Sequence, residues 1–330
     1  MWLGHPTNPR EVLHFAFIVP DPRSFQSGGN LYNKQLIQAL EREATIKLSC
    51  WHQREIIPKG ANAYFIDTLF LDELDQWKAY RPLYLLVHHL ESLFPPSGES
   101  AIDLFEQKER PLLEQFDGYL VTSTFTATYL NSKKLEKPIY CIPPALSHTF
   151  APNKRSYEQV QAIMVANLIE RKGIVPFLQE LQKETLPSFQ LSIFGNMDLE
   201  PAYAQKCLQI IAQLPQIEYA GELPQEELFQ YYERSNLFIS TAYMETFGMA
   251  IQEAKEAQLP LLILEGGYAA THLDKNAMGW QVQTIPALVQ QLKKIALTPS
   301  LLKDLKRHPH SASGYNWQNA ASHLIAFFKN

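Results

Sequence analysis

Cysteine is scarce in this chain of 330 residues: Cys50, Cys141 and Cys207 are the three it has. They lie far apart and show neither a disulfide framework nor metal-ligand spacing. No apolar run is long enough to span a bilayer. A basic excess is missing too, with 29 Lys and Arg against 34 Asp and Glu, a net charge of −5. The balance is similar along the chain, 14 against 17 in residues 1–150 and 15 against 17 in the rest. That excludes the electrostatic footprint of a nucleic-acid binder. Lys133, Lys134 and Lys137 form a small cluster, short of a dense polybasic membrane patch, so peripheral membrane contact stays open. Residues 1–10 are polar and contain proline, and the apolar run that follows, 12–19, is short and strand-like, so no signal peptide is read there. The expectation is a cytoplasmic protein with reduced thiols.

What is present is an ordinary globular composition, 46% hydrophobic and 19% charged, long enough for two domains. Short β-type apolar runs alternate with longer helical patterns. Residues 12–19, Leu83–Val87, 119–122 and 139–142 read as strands in the first half. Residues 162–165, 190–194, Leu237–Ser240 and Leu261–Leu264 do so in the second. Such alternation implies parallel sheets covered on both faces by helices. After Pro143-Pro144, the polar stretch 147–157 is the best linker. The predicted organisation is an N-terminal Rossmann-like domain over 1–150, a second over 151–313, and a closing helix over 314–330. Ligands in doubly wound sheets bind beyond the carboxyl ends of strands.

The most informative segment is Glu245-Thr246-Phe247-Gly248-Met249-Ala250-Ile251-Gln252-Glu253. It follows the apolar run Leu237–Ser240 and leads into a helical pattern. A helix opening at a glycine offers unpaired N–H groups and the positive end of its dipole to an anion. Eight helical residues span roughly 12 Å, so two carboxylates can address two ends of one ligand. Glu, seven residues, Glu, with Phe-Gly after the first, resembles the donor site of retaining family 4 glycosyltransferases. That family has the GT-B fold, two Rossmann-like domains facing across a cleft.

The resemblance implies roles for particular residues. Glu245 would contact the transferred sugar. Phe247, Gly248 and Met249 would offer backbone N–H groups to sugar and phosphate, and Glu253 would hold the ribose hydroxyls. Lys172, in the Lys172-Gly173 pair after the second domain's first strand, resembles the diphosphate-binding lysine. A fixed ammonium there stabilises a leaving diphosphate as its charge grows. Ala166-Asn167 stands where the family has Gly-Arg, which removes one expected cation; Arg171 is the nearby candidate to replace it. Gly28 and Gly29, after the first strand, look like the first-domain glycine loop, which would lie beside the donor phosphate and the acceptor, opposite Lys172, with Asn30 as helix cap. His88, at the end of Leu83–Val87, matches the histidine that faces the donor sugar, in a positioning role. Gly195 and Asn196 would line the nucleotide pocket, and Gly266-Gly267-Tyr268 would close over the phosphates. Ser123 reads as a helix cap.

The implied activity is hexosyl transfer from a nucleotide-diphosphate sugar, with retention and without metal or other cofactor. No Asp-x-Asp pair of the metal-dependent glycosyltransferase fold occurs. The closing helix would cross back to the first domain. The acceptor, a small molecule, lipid or glycan, is not legible; Trp51, Tyr64, Phe65, Trp77 and Tyr80 either stack on it or pack. Two rival readings share the fold: a non-catalytic protein that binds a nucleotide sugar or a partner, and a nucleotide-sugar epimerase.

Overall fold

The computed structural model describes residues 12–21, 27–51, 57–146, 148–150, 155–273, 278–305 and 315–329. Residues 1–10, part of the 147–157 linker, and the side chain of Trp51 lie outside the described residues. The chain divides into two units, one built on Gly29–Pro143 with Trp317–Asn330, the other on Pro144–Asn316.

The first unit carries the parallel strands β1 Leu13–Ile18, β2 Ile46–Trp51, β3 Ala63–Asp67, β4 Leu83–Val87, β5 Gly118–Val121 and β6 Ile139–Cys141, in the order β2-β1-β3-β4-β5-β6. The second carries β7 Val160–Val165, β8 Phe189–Phe194, β9 Ile217–Gly221, β10 Leu237–Ser240, β11 Leu261–Leu264 and β12 Gly279–Val282, ordered β12-β11-β10-β7-β8-β9. Each sheet has a point where the chain turns from one side to the other, between β1 and β3 and between β7 and β10. Crevices for ligands open at such points, outside the carboxyl ends of the strands.

The second sheet shows why both faces are covered. Leu237 and Ile239 of β10, with Leu262 and Leu264 of β11, join a core with the helices Ile174–Leu181, Pro201–Ile211 and Ile285–Leu297. The alternate residues Phe238, Leu261 and Ile263 join a different core, with the helices Gln225–Arg234 and Met249–Glu256. The period of two along a strand sends neighbours to opposite faces. The helix Ile174–Leu181 buries Ile174, Phe177, Leu178 and Leu181, the i, i+3, i+4, i+7 stripe of an amphipathic helix. Burying each such side chain contributes roughly 1.5–3 kcal/mol.

In the first unit the helix Trp317–Lys329 lies on the sheet. Phe328 packs edge-on against Phe15, Phe65 and Tyr84 of β1, β3 and β4. Phe327 stacks on Tyr140 of β6 at 4.6 Å, and Trp317 meets Tyr32 at 5.4 Å. The closing helix thus returns to the first unit, as the resemblance implied. The aromatic residues in question as acceptor platforms resolve in favour of packing at three positions: Tyr64, Phe65 and Trp77 are buried. No helix among the described residues is long and apolar enough to cross a membrane.

Candidate functional site

Two side-chain constellations stand at the switch points, one in each unit. In the second unit, Lys172 follows β7 and Glu245 follows β10. The turn Glu170–Lys172 ends at Gly173, and Thr241 Oγ1 donates to the Lys172 carbonyl at 2.6 Å. Lys172 Nζ donates to Glu245 Oε1 at 2.5 Å, with the two side chains 16% and 13% exposed. Burial pushes Glu245 up, but the charges of Lys172 and Arg171 outweigh it and hold the carboxyl below its ordinary value. Burial depresses Lys172, partly offset by Glu245.

Arg171 stands next to this pair. Its Nη1 donates to the Met244 carbonyl at 3.0 Å, so the cation sits beside Glu245 from the loop side. Asn167, in the position where an arginine was expected, serves structure: its Oδ1 accepts from the Asn196 N–H at 3.0 Å. That bond ties together the loops after β7 and β8. Asn196 in turn donates to Glu222 Oε2 at 2.8 Å, and the Gly195 carbonyl accepts from the Tyr219 hydroxyl at 2.7 Å. Gly195 and Asn196 therefore lie at the carboxyl edge of the same sheet.

Gly248 stands immediately before the helix Met249–Glu256, with φ +88° and ψ +60° and no side chain capping the helix start. A side chain is strained in that left-handed conformation. The loop before it rests on another: Glu245 bridges to Gly267, and Tyr268 N–H donates to the Glu245 carbonyl at 2.7 Å. Phe247 stacks on Tyr268 at 5.3 Å. Gly266, Gly267 and Tyr268 thus bear on the backbone of the Glu245 loop. Beneath it, His272, 3% exposed, places Nε2 2.7 Å from the Phe247 carbonyl.

Glu253, 5% exposed, lies further along the helix. Its Oε1 accepts from Gln225 Nε2 at 3.1 Å and its Oε2 from the Tyr232 hydroxyl at 2.9 Å. The meeting follows from the sheet, because both helices cover the same face. Burial raises the Glu253 carboxyl to about 7, against the two hydrogen bonds. A carboxylate offers about four lone-pair sites, so two donors leave acceptor capacity for a ligand's hydroxyls.

The helix after β1 runs Gly28–Leu40, and from Gly29 on it belongs to the first unit. Asn30, expected as its cap, falls inside the first turn instead. Gly29 is needed for space: a Cβ there would stand 2.9 Å from His88 Cγ. His88 Nε2 lies 2.8 Å from Asn33 Oδ1 and 3.5 Å from Asp67 Oδ2. Asn33 Nδ2 donates to the same Asp67 oxygen at 2.5 Å. Asn33 can only accept at Oδ1, so the network assigns the His88 proton to Nε2. Burial lowers the His88 pKa, with Asp67 opposing. Ser123 caps the helix Thr124–Ser132 by accepting from Thr126 N–H.

Sequence reasoning did not find Asn33, Asp67, Gln225, Tyr232 or His272. Their contacts span from 21 to 55 residues, which no local pattern reports. Asp67 had one usable signal, an acidic residue closing an apolar run. Among the described residues, no three His, Cys, Asp or Glu side chains gather to hold a metal ion.

Comparison with known proteins bears on this geometry. Residues 148–308 match the family described as glycosyl transferases group 1. No curated protein matches the chain. Sucrose-phosphate synthase from Thermosynechococcus elongatus is similar in structure with a TM-score of 0.76 at 17% identity, covering 96% of this chain and 98% of that one. HepE from Anabaena, in complex with UDP and glucose, is similar with a TM-score of 0.68 at 11% identity, over 96% and 99% of the two chains. A glycosyltransferase from Rickettsia africae ESF-5 gives 0.61 at 13% identity, over 96% and 98%. These likenesses establish the GT-B fold, two six-stranded parallel sheets with surrounding helices.

Proposed function

Starting from the group 1 glycosyltransferase module in residues 148–308, we propose that the protein is a retaining, metal-independent transferase of a hexosyl group from a nucleotide-diphosphate sugar. The observation that carries this is the convergence at one switch point of Lys172, Glu245 and the uncapped helix start at Gly248, with Glu253 along the same helix. The HepE structures with UDP and with UDP-glucose support testing a uridine diphosphate donor first.

In this reading the second unit holds the donor. The N–H groups of Gly248 and Met249, with Lys172, receive the diphosphate, and Phe247 N–H lies on the sugar side. Glu245 contacts the sugar and Glu253 the ribose hydroxyls, with Gly195 and Asn196 bordering the nucleotide. The acceptor belongs to the first unit, where His88 stands; Gly28 and Gly29 are read as donor-binding. In the reaction, the bond from the anomeric carbon to the diphosphate oxygen breaks, and the acceptor oxygen bonds to that carbon on the same face. The acceptor's proton passes to the leaving phosphate oxygen. Lys172 and the helix amides stabilise the charge growing there, more in the transition state than in the ground state.

Asn167 favours a second reading, binding without transfer, because the cation expected at its position is replaced by a side chain tied to Asn196. Calorimetry with UDP, GDP and ADP in a chelator tests the donor site; binding of at least one is expected. Loss of all three, restored by magnesium, counts against metal independence. Incubation of the matching sugar donor with an acceptor panel then separates transfer from binding.

A further inference from the structure

His272 is 3% exposed, and no sequence motif points to it. It lies against two aromatic rings that stack on one another, perpendicular to both: Phe247 at 5.3 Å and Tyr268 at 5.4 Å. Its Nε2 meets the Phe247 carbonyl at 2.7 Å, and a carbonyl accepts only, so this nitrogen carries the proton. A Cβ on Gly248 would stand 3.5 Å from the same nitrogen, which places the ring directly under the loop's turn. Burial pushes His272 down to about 4, so the ring is neutral near pH 7 and adds no charge beneath the loop.

In a trans peptide the C=O and the following N–H point in opposite directions. A donor that fixes the Phe247 carbonyl downward therefore turns the Gly248 N–H upward, away from His272. The geometry points to His272 as a positioning residue of the donor site, aiming the Gly248 amide and the start of the helix Met249–Glu256 at the diphosphate. This rests on the donor-site reading of the second unit. His272 acts through the Phe247–Gly248 peptide and touches no substrate atom. It selects for the diphosphate part of the ligand, since Glu253, with its own partners Gln225 and Tyr232, serves the ribose.

The test measures affinities of UDP, GDP and ADP, each beside its nucleoside, for wild type, His272→Leu and His272→Gln. The glutamine amide donates to the same carbonyl from a similar reach; leucine fills space without a donor. His272→Leu should weaken the diphosphate at least about tenfold and leave the nucleoside within about twofold, with His272→Gln recovering to within about threefold of wild type. Equal losses for diphosphate and nucleoside, or no loss for either, overturn the inference. If wild type binds none of the diphosphates, the donor-site reading fails and the inference with it; diphosphate binding indifferent to His272 removes the inference alone. Should His272→Leu not fold, side-chain 15N NMR of the wild type decides: a proton on Nε2 supports the arrangement, and a proton on Nδ1 overturns it.

Discussion

Lys172 and Glu245 neutralise one another: Nζ and Oε1 lie 2.5 Å apart across 73 residues of sequence. The contact satisfies two charged groups that are each less than a fifth exposed. In the proposed reaction they part, the ammonium going to phosphate and the carboxylate to sugar. Glu245 is thus a competitor for the lysine as well as the proposed sugar ligand.

The first prediction follows from that competition. Lys172→Met strands the Glu245 carboxylate and should cost about 3 kcal/mol of stability, the lower end for breaking a buried pair. Adding Glu245→Leu should recover most of it, as urea unfolding will read. Glu245→Gln should bind nucleoside diphosphate as tightly as wild type or more so, while turnover falls. Diphosphate affinity that drops with Glu245→Gln as far as with Lys172→Met argues against the assignment.

Glu253 should behave in the opposite way. Its carboxylate, fixed by Gln225 and Tyr232, is proposed to accept from ribose hydroxyls. Glu253→Ala should weaken nucleoside and nucleoside diphosphate alike by about 1.5–3 kcal/mol, the worth of hydrogen bonds to a charged group. The comparison with a 2′-deoxynucleotide is direct: wild type should discriminate against it, and Glu253→Ala should not.

Stability should depend on pH through two buried groups of opposite sign. Glu253 is raised to about 7 by burial, so its contribution is full below its ordinary value of 4.5 and is lost as pH rises through 7. His272 is lowered to about 4, chiefly by burial, with the Phe247 bond and Glu245 opposing and Lys255 adding to the fall. Its contribution is full above 6.5 and is lost as pH falls through 4. Each slope is about 1.4 kcal/mol per pH unit, and between 4.5 and 6.5 they cancel. Relative to wild type, Glu253→Gln should gain about 3 kcal/mol between pH 4.5 and 8. His272→Phe should gain relative stability in the other direction, from pH 6.5 down to 4. Urea midpoints over that range check both, and a relative stability of Glu253→Gln that declines with pH contradicts the sign.

His88 offers a fourth prediction. Asn33 and Asp67 hold its ring with the proton on Nε2, and burial lowers its pKa against the opposing charge of Asp67. No carboxylate is assigned as an obligate base, so His88→Ala should lower the rate without abolishing it. An α-linked donor should give an α-linked product, read from the anomeric coupling in proton NMR. A β-linked product from that donor would overturn retention.

Much of the fold was legible. The strands Leu83–Val87, Leu237–Ser240 and Leu261–Leu264 have the bounds their apolar runs imply, because strands covered on both faces carry little polar interruption. The strands that went unread are mostly the edge strands β2, β9 and β12, where half-exposed positions mix polar and apolar residues. β3 is the exception: its Tyr64 and Phe65 invited a reading as ligand platforms, yet every residue in it is buried.

The sequence by itself determined the alternation of strands and helices and the glycine-opened helix after β10, because these depend on periods of two and 3.6 and on local backbone preference. It also carried Glu245, Glu253 and Lys172 as a family-like motif. Tertiary structure alone decided that Lys172 and Glu245 pair, that Asn167 ties two loops instead of supplying a charge, and that Tyr232, Gln225, Asn33, Asp67 and His272 stand behind the motif residues. The physical reason is the crossing order of the sheets. Strands adjacent in space at a switch point are distant in sequence, and the hydrogen bonds between their loops leave no periodic trace in the chain.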